Sequence, residues 1–244
     1  MRYFLELSFT GKNYKGWQVQ PHEVSVQQTL ESALSTILQI QVSVVGCGRT
    51  DTGVHARQFF SHFNFDAMLP VNFMERINKF LPKDIAVNRH IQVHEEAHAR
   101  YDATLRTYKY HLHFSKNPFL QDWSFFYPYG DLDIELMNEA AAILTSFNDF
   151  APLCKKSPDI KTTLCQVGRA GWEITAPGLI FEIAANRFLH GMVRRIVGCL
   201  LSVGSKKLTI DQFEKVMKTK GTFSKVIAVP PQGLYLTSVE YPYL

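Results

Sequence analysis

The chain has 244 residues, of which 46% are hydrophobic and 20% charged, and its formal net charge is +4. This composition is typical of a globular protein and excludes a disordered one, and a chain of this length buries about 70–75% of its unfolded surface. No apolar run approaches the roughly 20 residues of a membrane span, and the N-terminus lacks a signal-peptide pattern, so we expect a cytoplasmic protein with no membrane partner. The four cysteines form no C-x-x-C pair, so neither a disulfide framework nor a zinc site is expected.

The first half of the chain predicts the element order β-α-β-β-α-β. Strands are expected over 2–9, 42–47, 57–65 and 85–93 from their apolar alternation and flanking turns. Ser25 and Gln28 form a predicted capping box at the start of one helix, and Pro70 precedes a second helix over 71–81. The buried stripe expected on the first helix is Val26, Leu30, Ala33, Leu34, Ile37 and Leu38.

The second half repeats this order more loosely. Strands are expected over 105–114, 163–175, 179–186 and 233–241, and helices after Asp133, over 187–203 and after a cap formed by Thr209 and Gln212. Two tandem units of this kind predict an α+β fold with two ferredoxin-like (RRM-like) halves, 1–97 and 98–244, and a central cleft between them.

A polar, glycine-flanked motif, Gly46–Ala56, lies between two of the predicted strands. Its Asp51 is the leading candidate for a nucleophile or general base, with Arg49, Thr50 and His55 as neighbouring candidates for substrate contact. His55 either contacts phosphate or caps the loop. The simpler alternative for the whole motif is a glycine-rich hairpin turn.

A buried catalytic carboxylate needs a cation nearby to stay ionised. Within the predicted helix over 187–203, Arg187, His190 and Arg194 recur at i, i+3 and i+7 and share one side. Because a buried arginine almost always has an anionic partner, we expect Arg194 to pair with Asp51. The alternative is a guanidinium that reaches solvent along the helix.

Aromatic and basic residues supply candidate contacts to a nucleic acid. Strand alternation places Tyr108 on one face with Arg106 and Tyr110, where its ring is either part of the core or a platform for a planar base. Lys15 lies in a loop beside Trp17, a combination that suits phosphate contact and stacking. A solvated lysine is the alternative.

The chain resembles the tRNA pseudouridine synthase A family along nearly its whole length. The motif Gly48-Arg49-Thr50-Asp51 followed by Gly53-Val54-His55-Ala56 is specific to that family. The other matching stretches are Phe9–Pro21, Val26–Glu31, Leu81–Ile85, His98–Tyr101, Arg106–Tyr110, Asn186–Gly198 and Gly233–Leu236.

The resemblance implies a pseudouridine synthase fold and the isomerisation of uridine to pseudouridine at positions 38 to 40 of the tRNA anticodon stem–loop. It implies that Asp51 is the essential catalytic residue, that Tyr108 packs on the target base and that Arg194 pairs with the carboxylate. It also implies a homodimer, a basic cleft for tRNA and neither a metal nor an organic cofactor.

The sequence departs from the family pattern at Gly191 and Arg195, and over Ala151–Lys155 and Val226–Pro231, so the target positions and the RNA contacts of these loops stay open. Two other functions fit some of the residues. One is a non-catalytic RNA-binding module with two RRM-like halves. The other is an aspartic hydrolase, suggested by Asp51-Thr52-Gly53, but such a site needs two facing carboxylates.

Overall fold

The computed structural model describes residues 1–155, 160–224 and 226–244. The protein is α+β and consists of two compact units, one formed by Met1–Thr104 with Tyr235–Leu244 and the other by Leu105–Leu234. These bounds are not those of the predicted halves 1–97 and 98–244, and the assignment of separate catalytic parts to those halves stays a prediction. In the described ranges, no helix is long and apolar enough to cross a membrane.

The secondary structure elements are numbered in chain order. The strands are β1 (Arg2–Phe9), β2 (Val45–Gly46), β3 (His55–Asn64), β4 (Ile85–Val93), β5 (Leu105–His113), β6 (Phe125–Phe126), β7 (Val167–Thr175), β8 (Gly178–Ala185) and β9 (Leu234–Glu240). The helices are α1 (Val26–Leu38), α2 (Phe73–Phe80), α3 (Ile134–Ile143), α4 (Met192–Gly204) and α5 (Ile210–Thr219).

The first unit has a mixed sheet in the order β4-β1-β3, with β2 antiparallel and β9 parallel to β3. The order β-α-β-β-α-β predicted for residues up to 93 is therefore confirmed. Helix α1 begins where predicted, with the Ser25 hydroxyl accepting the Gln28 N–H at 3.2 Å, and its whole predicted stripe is buried. Apolar packing of this stripe is what stabilises α1 on the unit.

The strand predicted over 42–47 was wrong in extent, because only Val45–Gly46 pairs in the sheet. Side chains of α1 instead bind the backbone of residues 42–44, which leads into β2. The Val44 N–H donates to Glu31 Oε1 at 2.9 Å, and the Val44 carbonyl accepts from Gln27 Nε2 at 3.1 Å. The Val42 N–H donates to Ser35 Oγ at 2.9 Å. These backbone groups are satisfied without a neighbouring strand.

In the second unit, β8 is antiparallel to both β5 and β7, and β6 is parallel to β5. The predicted hairpin at 176–178 is confirmed, although its first strand begins at Val167 and not at residue 163. The predicted closing strand forms as β9, and it pairs in parallel with β3 of the first unit.

Candidate active site

The Asp51 motif runs from β2 through a loop into β3. At its start, Gly46 lies against an indole ring, since an added Cβ would stand 2.6 Å from Trp17. The Cys47 N–H donates to the Phe60 carbonyl at 2.7 Å. The loop turns back when the Val54 N–H donates to the Asp51 carbonyl at 3.1 Å. Asp51, half-buried, is thus at the tip of a loop whose two ends are attached to the sheet.

A second loop, Gly11–Trp17, packs directly on the backbone of this motif. An added Cβ at Gly11 would lie 2.1 Å from the Val54 carbonyl oxygen, and one at Gly16 would lie 2.2 Å from that of Thr50. The Trp17 N–H also donates to the Thr50 carbonyl at 3.3 Å. Only glycine permits so close an approach of two backbones. The Gly11–Trp17 loop therefore touches the motif on both sides of Asp51.

His55 ties the same two loops together at the first position of β3. Its side chain is 1% exposed, and its Nδ1 accepts the Gly11 N–H at 3.1 Å, so the ring proton is on Nε2. The imidazole stacks on the Tyr235 ring at a centroid distance of 4.6 Å. This arrangement corresponds to the loop-capping alternative, while a substrate contact by His55 stays a prediction.

The other candidates in the first unit differ in accessibility. Arg49 and Lys15 are exposed, and the Lys15 Nζ lies 3.7 Å from Glu23 Oε1. Thr50 is buried, and its hydroxyl has no hydrogen-bond partner among the described residues. Arg49 and Lys15 are therefore available to a polyanion, whereas Thr50 supports the loop through its backbone carbonyl.

On β5, the three predicted residues have separate environments. Arg106 is buried, and its Nη1 donates to the Asn186 carbonyl at 2.7 Å. Tyr110 is fully buried, its hydroxyl donates to the Pro230 carbonyl at 2.8 Å, and burial raises its pKa. Tyr108 is half-buried and meets the Phe188 ring edge-on at 5.0 Å. Of the two tyrosines, Tyr108 offers an accessible ring, and Tyr110 belongs to the core.

The predicted start of the helix at 187 was wrong, because α4 begins at Met192. Gly191 precedes it in a left-handed conformation with φ of 67°, which interrupts the helical path. Arg187 and His190 therefore lie before the helix and do not share a helical face with Arg194. The i, i+3, i+7 argument fails for these two residues.

Arg194 lies in the first turn of α4 and bonds to a backbone segment of the same unit. Its Nε donates to the Val229 carbonyl at 2.7 Å, and its own carbonyl accepts the Val229 N–H at 3.2 Å. These bonds give the guanidinium a defined direction. A cation so close to the positive end of a helix dipole is disfavoured unless an anion accompanies it. The pairing of Arg194 with Asp51 agrees with this requirement and stays a prediction.

Sequence reasoning missed Arg57 and Asp84. The Arg57 guanidinium lies over the Tyr235 ring at 5.6 Å, and the alternation of His55 and Arg57 on one strand was an available signal. Asp84 binds the Gly11–Trp17 loop through two hydrogen bonds and Thr10, just before it, through a third, a long-range role that no local pattern indicates. No group of three or more metal-binding side chains is found among the described residues.

Comparison with known proteins gives matches along the whole chain. Residues 140–242 match the sequence profile of a family described as tRNA pseudouridine synthase. The tRNA pseudouridine synthase A of Parabacteroides distasonis is 44% identical over 243 residues, which cover 99% of this chain and 96% of that protein. The protein of the same name from Bacteroides thetaiotaomicron is 45% identical, with 99% and 91% covered. That from Bacillus licheniformis is 34% identical, with 99% of each covered.

Proposed function

This chain belongs to the tRNA pseudouridine synthase A family, and we propose that it isomerises uridine to pseudouridine at positions 38 to 40 of the tRNA anticodon stem–loop. The observation that carries the proposal is the family motif around Asp51, presented on a loop that a second backbone holds from both sides. Catalytic groups are commonly displayed in this way, on loops positioned by a rigid scaffold.

The reaction breaks the N1–C1′ bond of uridine, turns the bound base and forms a C5–C1′ bond while C5 loses its proton. It is a redox-neutral isomerisation, so an enclosed site without a cofactor is chemically sufficient for it. Asp51 either attacks C1′ or removes the 2′ proton to give a glycal, and both routes need an ionised carboxylate. Arg194 would favour that ionised form by its charge.

The target uridine must leave the helical stack, which costs a few kcal/mol. Stacking on the accessible ring of Tyr108 would offset part of this cost. Exposed cations, among them Arg49 and Lys15, would bind phosphates of the stem–loop. Arg187 and His190 are further candidates for the second unit's contacts with RNA.

The proposal extends to the fold and the assembly. The sheet order of the first unit, β4-β1-β3-β2, supports a ferredoxin-like half, and we propose a related half in the rest of the chain. We also propose a cytoplasmic homodimer with tRNA as its partner. The alternative function, a non-catalytic RNA-binding module, shares the fold and the basic residues but gives Asp51 no chemical role.

An assay of tritium release from tRNA labelled at uridine C5 tests the proposal. The wild type should release tritium, and Asp51→Asn should abolish release while tRNA affinity stays within about threefold, because an uncharged amide of the same shape keeps the loop. Asp66→Asn, which removes an exposed carboxylate of the same unit, is the control and should behave as wild type. Salt-dependent tRNA binding without tritium release by the wild type would establish the RNA-binding alternative instead.

A further inference from the structure

Asp84, which lies just before β4, binds the Gly11–Trp17 loop with both carboxylate oxygens, and its backbone binds the residue before that loop. Its Oδ1 accepts the Tyr14 hydroxyl at 2.6 Å, and its Oδ2 accepts Asn13 Nδ2 at 2.9 Å. Its carbonyl accepts the Thr10 N–H at 2.9 Å. Three hydrogen bonds, from Thr10, Asn13 and Tyr14, therefore converge on one acidic residue.

The hydrogen bond between the Tyr14 hydroxyl and the Asp84 carboxylate is a stable one. Tyr14 is 5% exposed, and burial together with the neighbouring Asp84 carboxylate raises its pKa, so the phenol keeps its proton and donates. Hydrogen bonds to an ionised acceptor are about twice as strong as neutral ones. Breaking this bond would leave a buried hydroxyl without a partner, which is disfavoured.

The loop transmits this anchoring to the catalytic motif. The Tyr14 N–H donates to the Gly11 carbonyl at 3.1 Å, so Tyr14 and Gly11 form one turn. Gly11 packs on Val54 and is bonded to His55, while Gly16 and Trp17 engage the carbonyl of Thr50. The residues before and after Asp51 are thus held by a loop that Asp84 holds.

We propose that Asp84 is a positioning residue for Asp51, acting through the Gly11–Trp17 loop and without touching the substrate. The inference rests on the proposed function, in which Asp51 carries the chemistry. A displacement of about 1 Å at a reacting group reduces turnover by roughly a hundredfold. Loosening the loop at Asp84 should therefore lower the rate of the chemical step.

Asp102 offers a matched control within the same unit. Like Asp84 it is half-buried and accepts a tyrosine hydroxyl, from Tyr243 at 2.8 Å, together with the His98 N–H at 2.7 Å. Its bonds join the turn at 98–102 to residues that follow β9, and not to the Gly11–Trp17 loop. Asp102→Asn therefore measures the effect on the rate of losing a carboxylate that binds a tyrosine but does not contact the Gly11–Trp17 loop.

The experiment compares Asp84→Asn and Tyr14→Phe with Asp102→Asn and Tyr243→Phe. Single-turnover rates are measured at saturating tRNA, so that weaker RNA binding by the loop does not enter. We expect the rate to fall roughly tenfold to a hundredfold in Asp84→Asn and less in Tyr14→Phe, with both controls within about twofold of wild type. Tyr14→Phe, which keeps the ring and removes only one bond, serves if Asp84→Asn is too unstable to study.

A second readout needs no activity. Amide hydrogen exchange of Trp17 and Val54, without tRNA, should accelerate at least tenfold in Asp84→Asn and stay unchanged in Asp102→Asn. Equal rates and equal exchange in the two asparagine variants would overturn the positioning role. Turnover by Asp51→Asn would instead overturn the proposed function, and the exchange result would still show whether Asp84 holds the motif.

Discussion

A chain needs glycine either for a left-handed backbone or for a close approach to another backbone, and Gly16 and Gly130 differ in this respect. Both have a left-handed backbone, with φ of 84° and 76°. At Gly16 an added Cβ would lie 2.2 Å from the Thr50 carbonyl oxygen, whereas at Gly130 nothing lies within 4 Å. A left-handed backbone costs a residue with a Cβ about 1–2 kcal/mol. A substitution at Gly16 would incur this cost and would also collide with the carbonyl of Thr50, the residue before Asp51.

We therefore predict different outcomes for alanine at the two positions. Gly130→Ala should lower the free energy of unfolding by about 1 kcal/mol and leave turnover unchanged. Gly16→Ala should be more destabilising and should reduce tritium release at least tenfold, because the Thr50 carbonyl must move. Urea unfolding and the tritium assay measure both effects. Equal behaviour of the two variants would show that the contact with Thr50 is unimportant.

The surroundings of His62 in the first unit weaken its affinity for a proton. Burial, together with the neighbouring His98 and Arg2, lowers its pKa from 6.5 to about 4. The ring of His98 lies 4.8 Å away, and His62 Nδ1 accepts the Ala99 N–H at 3.1 Å. The folded protein therefore prefers the neutral imidazole.

This preference predicts a loss of stability in mild acid. Between about pH 6.5 and 4 the unfolded chain binds a proton that folded His62 does not, so this contribution is complete above pH 6.5 and declines as pH falls to 4. Asparagine keeps an acceptor for Ala99 and removes the titration. His62→Asn should show a shallower fall of unfolding free energy from pH 7 to 4.5, by up to about 1.4 kcal/mol per pH unit. Parallel curves for the two proteins would contradict the assignment to His62.

At the scale of elements, α1 stabilises the chain that leads into β2 by side-chain bonds to its backbone. Glu31→Ala would remove the acceptor of the Val44 N–H, and a buried donor without a partner costs about 1–3 kcal/mol. Glu31→Gln keeps an oxygen in place and should cost less than about 1 kcal/mol. Urea unfolding compares the two variants. A glutamine variant as unstable as the alanine variant would mean that charge, and not the hydrogen bond, matters at this position.

The elements that the sequence predicted well are those coded locally. The α1 stripe and the Thr209–Gln212 capping box of α5 depend on residues within one or two turns, and both form as expected. The start of α4 was missed because apolar spacing continues through Phe188 and Leu189, and nothing local shows that Gly191 is left-handed. The shortness of β2 was missed because Glu31 and Val44 meet only after folding.

At the scale of the whole molecule, the motif and the candidate residues were readable from the sequence, but their grouping was not. A terminal strand has the same alternation whichever strand it pairs with, so the pairing of β9 with β3 left no local signal. The residues that follow β9 also belong to this unit. Asp51 and Arg194 belong to different units, and their pairing remains a prediction.

The return of the chain predicts that a C-terminal substitution weakens the N-terminal unit. The buried Tyr241 ring meets Phe4 and Phe60 edge-on at 5.3 and 5.2 Å, and its hydroxyl donates to the Ala99 carbonyl. Tyr241→Ala should cost about 3–5 kcal/mol, and Tyr241→Phe, which keeps the ring, about 1 kcal/mol.

Hydrogen exchange read by mass spectrometry locates this loss. In Tyr241→Ala, peptides of β1 and β3 should exchange faster than in wild type, while those of the β7–β8 hairpin keep their protection, because local stability follows the contacts that each segment makes. Tyr241→Phe is the control for the ring. An equal loss of protection in both units would contradict the prediction, since it would require Tyr241 to stabilise the whole chain as a single cooperative block.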